Sequence, residues 1–280
     1  MTPLLAYYVD RLNPFLVQFN ERFGIRYYGL AYAFGFLAAA WLLVRYYRAG
    51  RSLVSPAQVS DLMVALVMGT VLGGRVGSYL LYDGWRTFGE DPLAIFRVWD
   101  GGMSFHGGMV GVVVAFLWFA RSQHIPPLHL GDLVASTAPV GLFLGRLANF
   151  VNGELWGRVT SVRWAVIFPR SDPGKPIALI APRHPSQLYE AALEGLLLFG
   201  YLQWRLWRTG AVRRHPGAVG GEFLIGYALL RIVGEVFREP DAGLDPILGL
   251  SRGTFYSLLM LAAGLAVRLR PARPLSGPPG

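Results

Sequence analysis

The sequence predicts an all-α integral membrane protein with seven transmembrane helices. Three observations carry that prediction. Of 280 residues, 53% are apolar and only 15% charged, against about 25% charged in an ordinary soluble domain. The mean hydropathy is positive. Apolar stretches of roughly the 20 residues that cross a bilayer core as a helix recur along the chain, separated by arginine-bearing turns.

The expected helices, in order, are Ile25–Val44, Val59–Tyr82, Phe105–Ala120, Leu130–Phe150, Ser186–Trp204, Gly221–Arg238 and Gly253–Val267. The first carries Tyr27 and Tyr28 near its start and is followed by Arg45. The second carries Asp61 near its start and Arg75 within "LGGRVG". The third is short and opens on "SFHGG". The fourth runs apolar from Leu133 to Leu144 and then meets "GRLANFVNGELWGR", Gly145 to Arg158. The fifth follows "RHP" at Arg183–Pro185, the sixth contains "RIVGEVFRE", and the seventh is again short. Residues 1–270 are expected to form a single polytopic membrane domain, and the Pro/Gly-rich residues 271–280 a disordered cytoplasmic tail. Asn13–Phe23 mixes polar and aromatic residues, as a short interfacial N-terminal arm would. "MTPLLAYYVDRLNPF" lacks the charged start and small-residue cleavage site of a secretory signal.

Charge sets the orientation. The net charge of +9 is nearly all arginine, since Lys175 is the one lysine. The positive charges punctuate apolar segments, which points to anionic lipid headgroups and not to nucleic acid. The turns after the first, third and fifth segments, with the tail, hold Arg45, Arg48, Arg51, Arg121, Arg205, Arg208, Arg213, Arg214, Arg268, Arg270 and Arg273 and no acidic residue. Basic residues are as numerous on the other side but are spread over longer connections and matched by acids. Short, purely basic turns belong in the cytoplasm, so the N-terminus is expected in the periplasm and the C-terminus in the cytoplasm. The chain has no cysteine, which excludes disulfides, thiolate metal sites and a cysteine nucleophile of its own.

Ionisable residues inside the segments are costly, at ~2.5–3.5 kcal/mol each on insertion scales. Asp61, Asp132 and Glu222 fall in the expected first turns, where a carboxylate complements the helix dipole. Arg75, Arg146, Arg231, Glu235 and Arg238 have no such explanation. In the expected topology they lie in the outward halves of their helices, within about 10 Å of the ends for Arg75, Arg146 and Arg231. His106 and His184 start their segments on the same side. With Glu235 as the one buried partner, these arginines leave uncompensated positive charge, and a lipid phosphate is the anion available at that depth. Plainer readings stand beside this one. Arg231 and Glu235, four apart, can neutralise each other, Arg75 can snorkel, and Asn149 and Asn152 can cap the fourth helix.

"GRLANFVNGELWGR" resembles the signature of the bacterial phosphatidylglycerol–prolipoprotein diacylglyceryl transferase family. "IRYYGL" (Ile25–Leu30), "WDGGMSFHGG" (Trp99–Gly108), "RHPSQLYEA" (Arg183–Ala191) and "IGYALLRIVGEVFREPD" (Ile225–Asp241) are similar to that family in its order. The resemblance implies transfer of the diacylglyceryl group of phosphatidylglycerol to the lipobox cysteine thiol of a prolipoprotein signal peptide. A thioether forms and glycerol 1-phosphate leaves. It implies an enzyme of the bacterial inner membrane, facing the periplasmic leaflet, that needs no metal or other cofactor and takes its nucleophile from the substrate. On this resemblance His106 and Arg231 are the candidate catalytic residues. Arg146, Asn149, Asn152, Glu154, Gly157, Tyr28, Tyr227, Glu235 and, in support, Arg75 are the candidate phosphatidylglycerol ligands. His106 is expected either to accept the thiol proton or to serve by position. The alternative class is a transporter or flippase for an anionic lipid, which would use the same arginines but calls for broken helices and symmetry between halves. The sequence contains no long internal repeat.

Overall fold

The structure is a computed structural model that describes residues 7–19, 24–82, 89, 91–97, 102–240 and 245–275. Trp85 and Trp99, the part of the N-terminal arm at 20–23, Asp241 and the tail beyond residue 275 lie outside the described residues. Helix occupies most of each expected stretch, although Ile25 and Arg26 of the first fall in a strand and Tyr82 and Arg238 lie just past their helices. We number these helices α1 (Tyr27–Arg48), α2 (Pro56–Leu81), α3 (Phe105–Ser122), α4 (Pro127–Val151), α5 (Ser186–Glu190), α6 (Leu198–Thr209), α7 (Ala211–Arg214), α8 (Ala218–Phe237) and α9 (Arg252–Arg268). A π-helical turn, Ala191–Leu197, joins α5 to α6 without a break. Among the described residues, α1, α2 and α4 are long and apolar enough to cross a membrane.

Strands were not signalled by the composition. The chain forms β1 (Tyr8–Val9), β2 (Phe15–Gln18), β3 (Gly24–Arg26) and β4 (Val166–Ile167). β1 pairs with β4 in parallel, and β2 pairs with β3 antiparallel. The described part of the expected interfacial arm therefore contains β2, whose Phe15 ring lies 4.5 Å beneath the Arg26 guanidinium of β3.

The chain divides into two compact units, Met1–Leu42 with Gly131–Gly277, and Leu43–Leu130 with Pro278–Gly280. In the second unit, Ser55 starts α2 through a capping box. Its Oγ accepts from the Gln58 amide at 3.3 Å, and Gln58 Oε1 accepts from the Ser55 amide at 2.9 Å, with Pro56 fixing the first turn. Asp61 is therefore not a first-turn residue; it sits exposed a turn further on. Gly69, Gly73 and Gly77 of α2 face Gly107 and Gly111 of α3 backbone to backbone. A Cβ on Gly69 would lie 2.6 Å from the Gly111 carbonyl oxygen, and one on Gly73 2.7 Å from the Gly111 Cα. This is the small-residue seam by which membrane helices approach closely.

In the first unit, Ala165, Ile167 and Ile180 of the segment between α4 and α5 form a small core with Tyr7 of the N-terminal region, and Val9 and Val162 pack against it. Two expected dipole partners act differently from the expectation. Asp132, fully buried, accepts from the amides of Gly217 at 2.8 Å and Gly220 at 2.7 Å. It caps the start of α8 and not its own helix, because α4 begins earlier, at Pro127. Glu222 instead accepts a two-point contact from Arg205, both arms at 2.6 Å, and a third contact from Arg268 at 3.2 Å.

Candidate functional site

Three helical segments of the first unit bring the costly side chains together. On α4, Arg146 and Asn149 are three apart and share a face. On α8, Arg231 and Glu235 are four apart, and Arg238 follows one turn on. The third contribution is Glu190, the last residue of α5, and Glu194 within the π turn.

Arg146 places Nη1 2.9 Å from Glu190 Oε2 and Nη2 3.2 Å from Glu194 Oε2. Arg231 contacts Glu190 Oε1 and, through its other arm, Glu235 Oε1. It stands 3.7 Å from Glu194 Oε1, and Arg238 Nη1 lies 3.8 Å from Glu190. The Glu190 and Glu194 side chains are 0% exposed, whereas Arg146 retains 14% and Arg231 10%. Glu190 and Glu194 form a fully enclosed carboxylate floor, against which the Arg146 and Arg231 side chains keep a small exposed fraction. Ser251 Oγ donates to Glu235 Oε2 at 2.7 Å and holds the far side of the cluster.

The backbone makes room for this arrangement. A Cβ on Gly195 would meet the Phe143 Cβ at 2.6 Å, so the π turn packs tightly on α4. A Cβ on Gly234 would stand 3.4 Å from Glu190 Cγ, so a larger residue there would crowd the carboxylate floor. π turns occur disproportionately at functional sites.

These contacts correct the charge expectation. The arginines are not left uncompensated against Glu235 alone, because Glu190 and Glu194 meet them from the neighbouring helix. The signal was present in "LYEAALEG", where two glutamates four apart interrupt an apolar stretch.

The loop after α4 lies beside the cluster. Asn149 and Asn152 donate to the same oxygen of Glu154, at 2.8 and 3.2 Å. Gln187 donates to the Glu154 carbonyl at 2.6 Å and Ser186 to the Leu155 carbonyl at 3.0 Å. Gly157 is pinned between two other segments: its amide donates to His184 O at 2.9 Å, and the next amide, Arg158, to Phe237 O at 2.8 Å. A Cβ on Gly157 would lie 2.5 Å from the Phe237 oxygen and 2.7 Å from His184, which accounts for glycine here. Arg183 adds a bond to the Gly157 carbonyl at 3.2 Å. The stretches "GRLANFVNGELWGR", "RHPSQLYEA" and "RIVGEVFRE" thus converge in space.

The remaining candidates divide. Tyr227 of α8 lies within electrostatic reach of Glu194, Arg146, Arg231 and Glu190. Tyr28 sits in the first turn of α1 with its ring 5.5 Å from that of Tyr32. Arg75 and His106 belong to the second unit. Arg75 is buried and directs its guanidinium at backbone carbonyls, donating to Ile95 O at 2.8 Å, Gly102 O at 3.1 Å and Ala94 O. It also faces Tyr79 of its own helix, with the guanidinium 5.2 Å from the ring centre. His106 is exposed in the first turn of α3, whose start is capped by Ser104 Oγ on the Gly107 amide at 3.1 Å. Among the described residues no group of His, Asp and Glu has a metal-holding arrangement.

A family model described as prolipoprotein diacylglyceryl transferase matches residues 14–270. The chain belongs to the prolipoprotein diacylglyceryl transferase family. Within the family, it is 48% identical over 282 residues to the phosphatidylglycerol–prolipoprotein diacylglyceryl transferase of Rhodospirillum rubrum, covering 99% of each chain. It is 45% identical over 289 residues to that of Bradyrhizobium diazoefficiens, covering 98% of this chain and 99% of the relative. It is also 48% identical over 244 residues to that of Vibrio vulnificus, covering 87% and 86%. The span matched by the prolipoprotein diacylglyceryl transferase model includes every candidate residue from Tyr28 to Arg238.

Proposed function

We propose that this chain transfers the diacylglyceryl group of phosphatidylglycerol to the lipobox cysteine thiol of prolipoproteins, the first step of bacterial lipoprotein maturation. In this reading seven helices cross the inner membrane, with the N-terminus periplasmic, the C-terminus cytoplasmic and the reacting groups toward the periplasmic leaflet. The supporting observation is the pair Arg146 and Arg231, held together by the buried carboxylates of Glu190 and Glu194 while each keeps a small exposed fraction. Beside them Glu154 and its two asparagines supply acceptors and donors for glycerol hydroxyls.

The chemistry follows from the bond made. The cysteine sulfur attacks the glyceryl carbon next to the phosphate, an S–C bond forms, and the C–O bond breaks with its electron pair leaving on the phosphate oxygen. A thiol of ordinary pKa about 8.5 attacks as thiolate, and His106 is the group assigned to accept its proton. Negative charge grows on the departing phosphate, where preorganised guanidinium donors stabilise it most. Arg146 holds the headgroup phosphate with Asn149, Asn152 and Glu154, and Arg231, aligned by Glu235, stabilises the leaving group. Tyr28 and Tyr227 are further lipid contacts, Gly157 sets the loop's approach, and Arg75 supports. The test is incubation of the purified chain with labelled phosphatidylglycerol and a cysteine-containing lipobox peptide. A labelled thioether product is expected. Lipid that moves across a bilayer with no thioether formed would replace this reading with transport.

A further inference from the structure

The carboxylate floor is larger than is needed to orient two arginines. Arg231 already has Glu235 on its own helix, yet two more glutamates are buried completely against it and Arg146. Removing carboxylates from water is expensive, and such groups seldom increase stability over apolar replacements. Their presence therefore asks for a reason in the chemistry. Counting Arg146, Arg231 and Arg238 against Glu190, Glu194 and Glu235, three positive charges meet three negative ones.

We infer that Glu190 and Glu194 are positioning residues that hold the anion site near neutrality, so that it grips a phosphodiester without trapping the phosphate monoester that leaves. The inference rests on the assignment of Arg146 to the headgroup phosphate. The phosphodiester of the lipid carries one negative charge. Glycerol 1-phosphate, with a second pKa of about 6, carries between one and two at neutral pH. Each uncompensated guanidinium would then favour product over substrate. The Glu190 carboxylate spans both arginines, one oxygen toward each, and fixes their spacing while removing excess charge. Glu194 adds counter-charge from the π turn. Its Oε1 is buried without a hydrogen bond and lies 3.7 Å from Arg231. That oxygen acts on the site through charge and not through a directed bond.

The full chain in phosphatidylglycerol-containing micelles, with a lipobox peptide as acceptor, gives the two quantities needed: KM for the lipid and Ki for added glycerol 1-phosphate. Glu194→Gln removes the charge and keeps the shape. Ki is expected to fall about tenfold and KM only about threefold, because the more highly charged product feels the added positive potential more strongly. Glu194→Asp, which keeps the charge, should hold both within about twofold of the parent. Should Glu194→Gln fail to fold, Glu190→Gln is measured in the same way, with the same expectation. An unchanged or raised Ki, or equal shifts in Ki and KM, in a folded Gln variant overturns the inference. Parental KM and Ki in Arg146→Gln would instead remove the phosphate assignment itself, and this inference with it.

Discussion

Arg146 and Glu190 meet at 2.9 Å between two helices that are some 40 residues apart in the sequence. The arginine keeps a narrow exposed edge while the glutamate is wholly enclosed. Because Glu190 also contacts Arg231, one carboxylate sets the geometry of both guanidinium groups.

Arg146→Lys keeps the charge and loses the planar fork that now serves Glu190 and Glu194 separately. A lysine ammonium cannot hold two carboxylates and also present a flat edge to a phosphate. KM for phosphatidylglycerol is expected to rise about tenfold, a loss of ~1.4 kcal/mol in binding. An unchanged KM would exclude recognition of the phosphate through the guanidinium fork.

His106→Gln separates proton acceptance from positioning. Loss of about two orders of magnitude or more in the transfer rate, with a changed pH profile, is expected if the imidazole takes the thiol proton. Near-parental activity across pH about 5 to 9 with an unchanged profile would leave His106 a positional role.

Gly73→Ala tests the seam that holds α3 against α2. The added methyl has Gly111 Cα at 2.7 Å and its amide nitrogen at 3.0 Å, and backbone cannot move aside as a side-chain tip can. Overpacking of this kind costs about 1–3 kcal/mol. Thermal unfolding in detergent should show a clear fall in Tm, whereas Gly29→Ala, with open space around the new Cβ, should leave Tm close to the parent's.

His184 lies between the loop after α4 and the end of α8, with Nδ1 3.2 Å from the Tyr189 hydroxyl and its ring edge-on to Phe237. Burial holds its imidazole below the ordinary 6.5. As pH falls through 6.5 the unfolded chain takes up a proton that the folded chain resists, so stability declines on acidification. Unfolding temperatures measured at pH about 7.5 and 5.5 should differ more for the parent than for His184→Gln. Equal differences would remove His184 from the acid response.

The helices were legible because membrane insertion is decided segment by segment. A run such as Leu133–Leu144 declares itself apolar whatever lies beside it, and an arginine such as Arg146 stands out against that run. The same local test could have marked Glu190 and Glu194, and their omission led to an expected excess of positive charge. Sequence position alone places Asp132 near the start of its own helix. The terminus it caps belongs to α8, more than 80 residues on. The strands β1 and β4 are too short for an alternating pattern to register.

The sequence alone carries the protein class, a mostly helical chain with membrane-capable helices, and the family. Each of these depends on composition within a window or on a contiguous motif. Which charges face one another is a matter of packing: Glu190 serves both Arg146 and Arg231, Glu154 gathers Asn149 and Asn152, and Arg75 donates to the carbonyls of Ala94, Ile95 and Gly102. Ion pairs and hydrogen bonds between helices depend on packing across long sequence separations. A π turn in one segment and the glycine opposite it in another fix those distances, and no single stretch contains both.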